Sequence, residues 1–146
     1  MIAHICNVSF QTGVFPNKMK IAKVIPLYKS GEKNIFTNYR PISLLPQFSK
    51  ILEKLYNNRL DKFLNKCNIL SPNQYGFRSS MSTTSLEQNK YTVGVFIDLN
   101  KAFDTVDHDI LCKKLHFYGL RGVAQEWIQS YLENRKQFVI HVIQKY

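Results

Sequence analysis

Hydrophobic positions change period several times along the chain, and each change marks an expected element. Ile2, Ile5, Cys6 and Phe10 recur at helical spacing, and Gly13 supplies a stop. Ile21 to Tyr28 (IAKVIPLY) is β-prone but contains Pro26, so an edge strand is expected there. Asn38 to Leu45 (NYRPISLL) is a second short strand, again with a proline, and Ser30-Gly31 lies in the polar turn between them. Two basic, proline-bearing strands joined this way predict an exposed hairpin apart from any core sheet. Phe48, Ile51, Leu52, Leu55, Leu60, Phe63 and Leu64 keep helical spacing over Pro46 to Asn65, with Lys50, Lys54, Arg59, Lys62 and Lys66 on the other side.

Further on, Ser71-Pro72-Asn73 signals a turn or helix start, and Gln74 to Arg78 leads into a Ser/Thr-rich segment. Tyr91 to Ile97 is rich in β-branched and aromatic residues and is expected to be a strand buried on both faces. Asp98 ends that run, and the strand of Lys136 to Ile143 is expected beside it. Between them, Ile110, Leu111, Leu115 and Tyr118 predict one helix stopped by Gly119, and Val123, Trp127, Ile128, Tyr131 and Leu132 another. The elements expected are thus helices mixed with short strands.

Charge changes the picture. The net charge is +10. Residues 1–90 hold 13 Lys and Arg against 4 acids, and residues 91–146 hold 7 against 6. Four of the ten acids fall between Asp98 and Asp109. The first part therefore reads as a polyanion grip, most simply for nucleic acid, and the second as an acidic centre. A basic surface kept for solubility is the plainer alternative. Cys6, Cys67 and Cys112 form no CxxC pair and no disulfide framework, which points to a reducing, intracellular setting. No apolar run is long enough to span a membrane, and Met1 to Phe10 lacks the basic start of a signal peptide.

Single residues admit more than one role. Asp98 is a metal ligand, a helix cap or half of a buried ion pair; Asp104 is more simply a cap or ion-pair residue. Lys29 and Arg40 face an anion or are ordinary surface charges. His108, Cys112 and His116 lie at i, i+4 and i+8, but no fourth zinc ligand is near in sequence and apolar residues interleave with them. Trp127 and Tyr131 belong to a core by default.

Five segments settle more together than apart: GVFPNKMKIAKVIPLYKSG, NYRPISLLPQFSKILEK, QYGFR, VGVFIDLNKAFDTVDHDIL and SYLENRKQFV. In this order they closely resemble the reverse transcriptase of non-LTR (LINE-type, jockey-like) retrotransposons. The resemblance implies an α+β fold, that of a right-hand polymerase, with fingers over residues 1–90 and the N-terminal part of the palm over 91–146. It implies RNA-directed DNA synthesis with Mg²⁺ on an RNA template, a DNA primer and dNTPs. Asp98 falls on the first palm aspartate, a ligand of both metals, and Leu99 would add its backbone carbonyl. Phe103 falls on the steric gate against a ribose 2′-OH. Lys29 and Arg40 fall on positions that hold the incoming triphosphate, and Gln74, Gly76, Phe77 and Arg78 on the template-facing motif. The chemistry is consistent: magnesium favours hard oxygen ligands, and an Arg fork with a Lys point charge suits a triphosphate.

The sequence also departs from that pattern. It contains no YxDD turn and no PQG loop, and only Ser85 to Lys90 stands where the family has a long helix. Against the family pattern, the expectation is that thumb and endonuclease are absent and that the chain opens inside the first finger helix. The expectation is a polymerase fragment, inactive on its own. The alternatives are a noncatalytic RNA- or DNA-binding module and the product of a decayed copy without function.

Overall fold

The computed structural model describes residues 1–76, 78 and 105–139. The chain forms two compact units, one of residues 1–57 with 108–146 and one of 58–107. Four described helices are α1 (Ile2–Thr12), α2 (Gln47–Lys66), α3 (His108–Phe117) and α4 (Val123–Leu132); three strands are β1 (Ile21–Tyr28), β2 (Tyr39–Leu44) and β3 (Lys136–Val139). These match the expected elements closely. The expected strand Tyr91–Ile97 and the end of the one expected over 136–143 lie outside the described residues. No described helix is long and apolar enough to cross a membrane.

β1 and β2 pair antiparallel, as the hairpin pattern predicts, but β1 is not an edge strand. The sheet order is β2-β1-β3, with β3 parallel to β1. Two facts let a proline-bearing strand sit in the middle. The Lys29 N–H donates to the Asn38 carbonyl at 2.8 Å, and Pro26 is the register partner of Pro41. Bonded and non-bonded pairs alternate along an antiparallel ladder. Counting from Lys29–Asn38 places the proline pair at a non-bonded position, where neither needs a donor for its partner. On the other side, the described pairing with β3 runs only from Ile21 to Val24, short of Pro26. Nor is β1 wholly exposed: Ala22 and Val24 are buried, so its first half belongs to the core.

The core of the first unit is aromatic. Trp127 is 1% exposed and Phe15 is fully buried. The indole stacks on Tyr56 from α2, with centroids 4.3 Å apart, and on Tyr131 at 5.8 Å. Phe10 and Phe15 each lie 5.3 Å from it. Its polar edge is satisfied too. Trp127 Nε1–H donates to Ser9 Oγ at 3.0 Å, and that hydroxyl donates onward to the Val14 carbonyl. Each buried aromatic removes about 150–250 Å² from water, and such ring pairs add about 0.5–1.5 kcal/mol beyond the area effect.

The helices present different faces from those that periodicity alone indicates. α1 buries Cys6 and Ser9, leaving Ile2, Ile5 and Val8 exposed; α2 buries Ser49, Leu52 and Tyr56, leaving Phe48, Ile51 and Leu55 exposed. The bulk comes from the aromatic cluster, so small residues sit where the backbones approach it. α1 ends at Gly13 with φ of 68°, and a Cβ there would stand 3.0 Å from Glu126 Cβ and 3.2 Å from the Val123 carbonyl oxygen of α4. Only glycine suits both that backbone and that gap.

Trp127→Ala is expected to lower stability by about 3–5 kcal/mol in urea titration, a large part of a domain's total. A second expectation concerns pH. Burial, reinforced by Cys112, pushes the Tyr56 phenol up to about 12, while its hydroxyl donates to the Ala124 carbonyl at 2.9 Å. The folded state therefore keeps a proton that the unfolded chain releases near pH 10. The associated stability is whole below pH 10 and is lost as pH rises towards 12. Wild type should lose ground to Tyr56→Phe over that window in parallel denaturation curves. Parallel pH dependence of the two proteins would contradict it.

Candidate nucleic-acid interface

The hairpin has two dissimilar faces. Strand alternation puts Lys23, Ile25 and Leu27 on one face of β1, with Arg40, Ile42 and Leu44 opposite on β2. Carried one residue further by the Lys29–Asn38 bond, the same alternation brings Lys29 onto that face. Lys29 and Arg40, both exposed, are thus diagonal neighbours, roughly 7 Å apart by sheet spacing. The structure brings together the two cations singled out in the sequence.

The opposite face is braced. Tyr28 and Tyr39 are register partners whose rings meet edge to face at 5.6 Å. The Tyr28 hydroxyl donates to the Gly31 carbonyl, and the Tyr39 hydroxyl to that of Lys33 at 2.8 Å. Asn38 Nδ2 donates to the Glu32 carbonyl at 2.9 Å, and the Lys33 ammonium lies 6.0 Å from the Tyr28 ring centroid. The connection from 29 to 38 is therefore a structured tip. These side-chain bonds carry no periodic signal, so sequence reading missed both tyrosines.

In the second unit, Gln74, Gly76 and Arg78 share one loop. Arg78 Nη1 donates to the Ser71 carbonyl at 3.2 Å, and Gln74 Nε2 to that of Gly76 at 3.2 Å. A Cβ on Gly76 would meet nothing closer than Gln74 Nε2, 3.7 Å away. Packing among the described residues thus gives no reason for glycine there. Phe77, Asp98, Leu99 and Phe103 lie outside the described residues.

A second titratable cluster lines an open cleft of about 550 Å³ along α3 and α4, including His108, Asp109, Cys112, His116 and Glu133. His116 Nδ1 meets Gln125 Oε1 at 2.8 Å. Burial, then the carboxylates of Asp109 and Glu133, pushes the Cys112 thiol up, which disfavours the thiolate. Among the described residues no three His, Cys, Asp or Glu side chains gather to hold a metal ion.

A small α+β domain with a cation-bearing hairpin whose tip is tied by side-chain hydrogen bonds is what these elements define. Residues 28–145 match the family model described as reverse transcriptase (RNA-dependent DNA polymerase), and the chain belongs to that family. It is similar to the probable RNA-directed DNA polymerase from transposon BS of Drosophila melanogaster, 33% identical over 99% of this chain and 17% of that protein. It is also similar to the RNA-directed DNA polymerase from mobile element jockey of Drosophila melanogaster, 34% identical over 77% of this chain and 14% of that protein. The probable RNA-directed DNA polymerase from transposon X-element of the same species is 29% identical over 92% of this chain and 16% of its own. The chain spans about a sixth of the length of these relatives, and its reverse transcriptase domain is of the non-LTR retrotransposon kind.

Gly31 tests the brace. Its φ is 95°, and a Cβ would stand 2.6 Å from Asn38 Nδ2. Gly31→Ala should speed amide exchange across 29–38 while leaving the global unfolding midpoint nearly unchanged. Unaltered exchange in that segment would show that the tip is not held this way.

Proposed function

We propose that this chain is the fingers and first palm segment of a right-hand RNA-directed DNA polymerase, with residues 1–90 as fingers and 91–146 as palm. Its partners are an RNA template, a DNA primer and a dNTP. Lys29 and Arg40 hold the triphosphate, Phe103 lies under the sugar, and Gln74, Gly76, Phe77 and Arg78 face the template. The observation that carries this reading is the shared, braced face of Lys29 and Arg40, since a triphosphate needs cations held at fixed spacing.

Magnesium fits the donors in kind and not in number. The Asp98 carboxylate and Leu99 carbonyl are hard oxygens of the type it prefers. Bridging two ions roughly 3.5–4 Å apart needs further carboxylates, and the sequence contains no YxDD run to supply them. Asp109 lies in the first turn of α3 and Asp107 just before that helix, and neither is assigned as a replacement. No catalytic step is assigned to these 146 residues by themselves. A second reading, a noncatalytic nucleic-acid-binding module, is favoured by the +10 charge.

The test combines nucleotide binding with primer extension. Lys29→Gln/Arg40→Gln should weaken dNTP binding at least tenfold, more than it weakens duplex binding. The chain alone should incorporate no nucleotide above an Asp98→Ala control, and Asp98-dependent activity should appear when a YxDD hairpin and thumb are supplied. Unchanged dNTP affinity in the double variant would overturn the assignment of the hairpin. Failure of the supplemented protein to extend a primer would favour the noncatalytic reading.

A further inference from the structure

The sheet has a second basic end. Ile21 and Lys136 are register partners, so β1 and β3 start side by side and run in the same direction. A short 3₁₀ turn, Asn17–Lys20, precedes β1, and Asn134 and Arg135 precede β3. Together the two starts border an open cleft of about 360 Å³, lined by Asn17, Lys18, Ile21, Asn134 and Lys136. Among the described residues that lining holds two ammonium groups and two amides, and no acid. All five residues are exposed.

An anion relieves two like charges gathered without a carboxylate, and the asparagine amides add directional N–H donors. A phosphodiester offers oxygens to all four groups. The volume exceeds that of a bare phosphate and suits a nucleotide-sized piece.

The pleat supplies an independent observation. Ile21 and Lys136 share their sheet face with Lys23, Phe138, Ile25, Leu27 and Arg40. Cations therefore recur along one face from the cleft to the hairpin tip, with exposed Ile25, Leu27, Ile42 and Phe138 among them. Alternating positive and apolar groups match a nucleic-acid strand, whose phosphates alternate with sugar and base carbon. From Ile21 to Lys29 the distance is roughly 25 Å at strand rise, beyond the reach of one triphosphate.

We infer that the Asn17–Lys18–Asn134–Lys136 cleft binds a backbone phosphate of a nucleic-acid strand that runs along β1, an anchor at the opposite end of the sheet face that carries Lys29 and Arg40. This rests on the reading of the chain as a nucleic-acid-handling domain.

The experiment measures binding of labelled dT12 and of a dNTP between about 50 and 200 mM salt. It compares wild type, Lys18→Gln/Lys136→Gln, and Lys50→Gln/Lys54→Gln, an equal charge change on exposed positions of α2, with the fold of each checked by circular dichroism. The cleft variant should bind dT12 about fivefold or more weakly, with a salt slope shallower by about 1, and should bind the dNTP like wild type. The α2 variant should stay within about twofold of wild type. A cleft variant no weaker for dT12 than the α2 variant overturns the inference while leaving the proposed function standing. If wild type binds no dT12 yet inorganic phosphate shifts the Asn17 and Asn134 side-chain amide resonances, the cleft takes free phosphate, and both the strand anchor and the nucleic-acid reading fall.

Discussion

The first unit depends on the surroundings of one indole. It is built from two stretches of chain, 1–57 and 108–146, separated by fifty residues that form the other unit. Something must hold those stretches together against the entropy of the loop between them. Trp127 does so from α4: it stacks on Tyr56 of α2, packs on Phe10 and Phe15, and bonds to Ser9 of α1, 118 residues away in sequence. Tyr56 returns the connection through the Ala124 carbonyl, and Ser130 Oγ accepts from the Phe15 N–H at 3.0 Å. Stacking and polar closure act together, so no buried side-chain donor or acceptor among the described residues is left unpaired. Arg135 extends the cluster to the entry of β3: its guanidinium lies 4.5 Å from the Tyr131 ring centroid and donates to the Tyr131 carbonyl.

A second constraint acts on the hairpin. An exposed edge strand is a template for adding another chain, and among the described strands β2 is such an edge. At a non-bonded position a residue's N–H points away from its partner strand, so the donor that Pro41 lacks is one the open edge would have offered. Pro26 lacks its donor on the β3 side, beyond the described pairing. The same pair of residues weakens the outer edge and leaves the inner ladder whole.

Most elements were legible because their signals are local. Gly13 and Gly119 end helices where expected, and Ile21–Tyr28 and Val123–Leu132 have the expected bounds. What was not legible depends on partners far along the chain. A proline reads as an edge residue until its position in the ladder is known, and that depends on β2. Ser9 and Ser49 read as polar surface, yet they are buried: one is the acceptor for Trp127, and the other donates to Glu53 at 2.7 Å. The apolar residues Ile2, Ile5 and Phe48 set the phase of the pattern but do not set the buried face. For the candidate site, the family motif singled out Lys29 and Arg40, which the register sets on one face, whereas the tyrosine brace behind them carried no sequence signal.

The separation between the two basic ends of β1 has an electrostatic consequence. Screening falls off over about 8–10 Å at physiological salt, and the ends are roughly 25 Å apart by strand rise. The pair at the hairpin tip and the pair at the strand starts therefore attract anions almost independently. A small ligand such as a triphosphate gains from one end only and is indifferent to the other. A strand long enough to reach both gains from each, and its affinity then carries the salt dependence of both sets of contacts. Lys23, between the ends on the same face, adds a third positive point along the way. On the proposed reading, the three described strands separate the capture of a monomer from the tethering of a polymer, with the rise along β1 setting the distance between them.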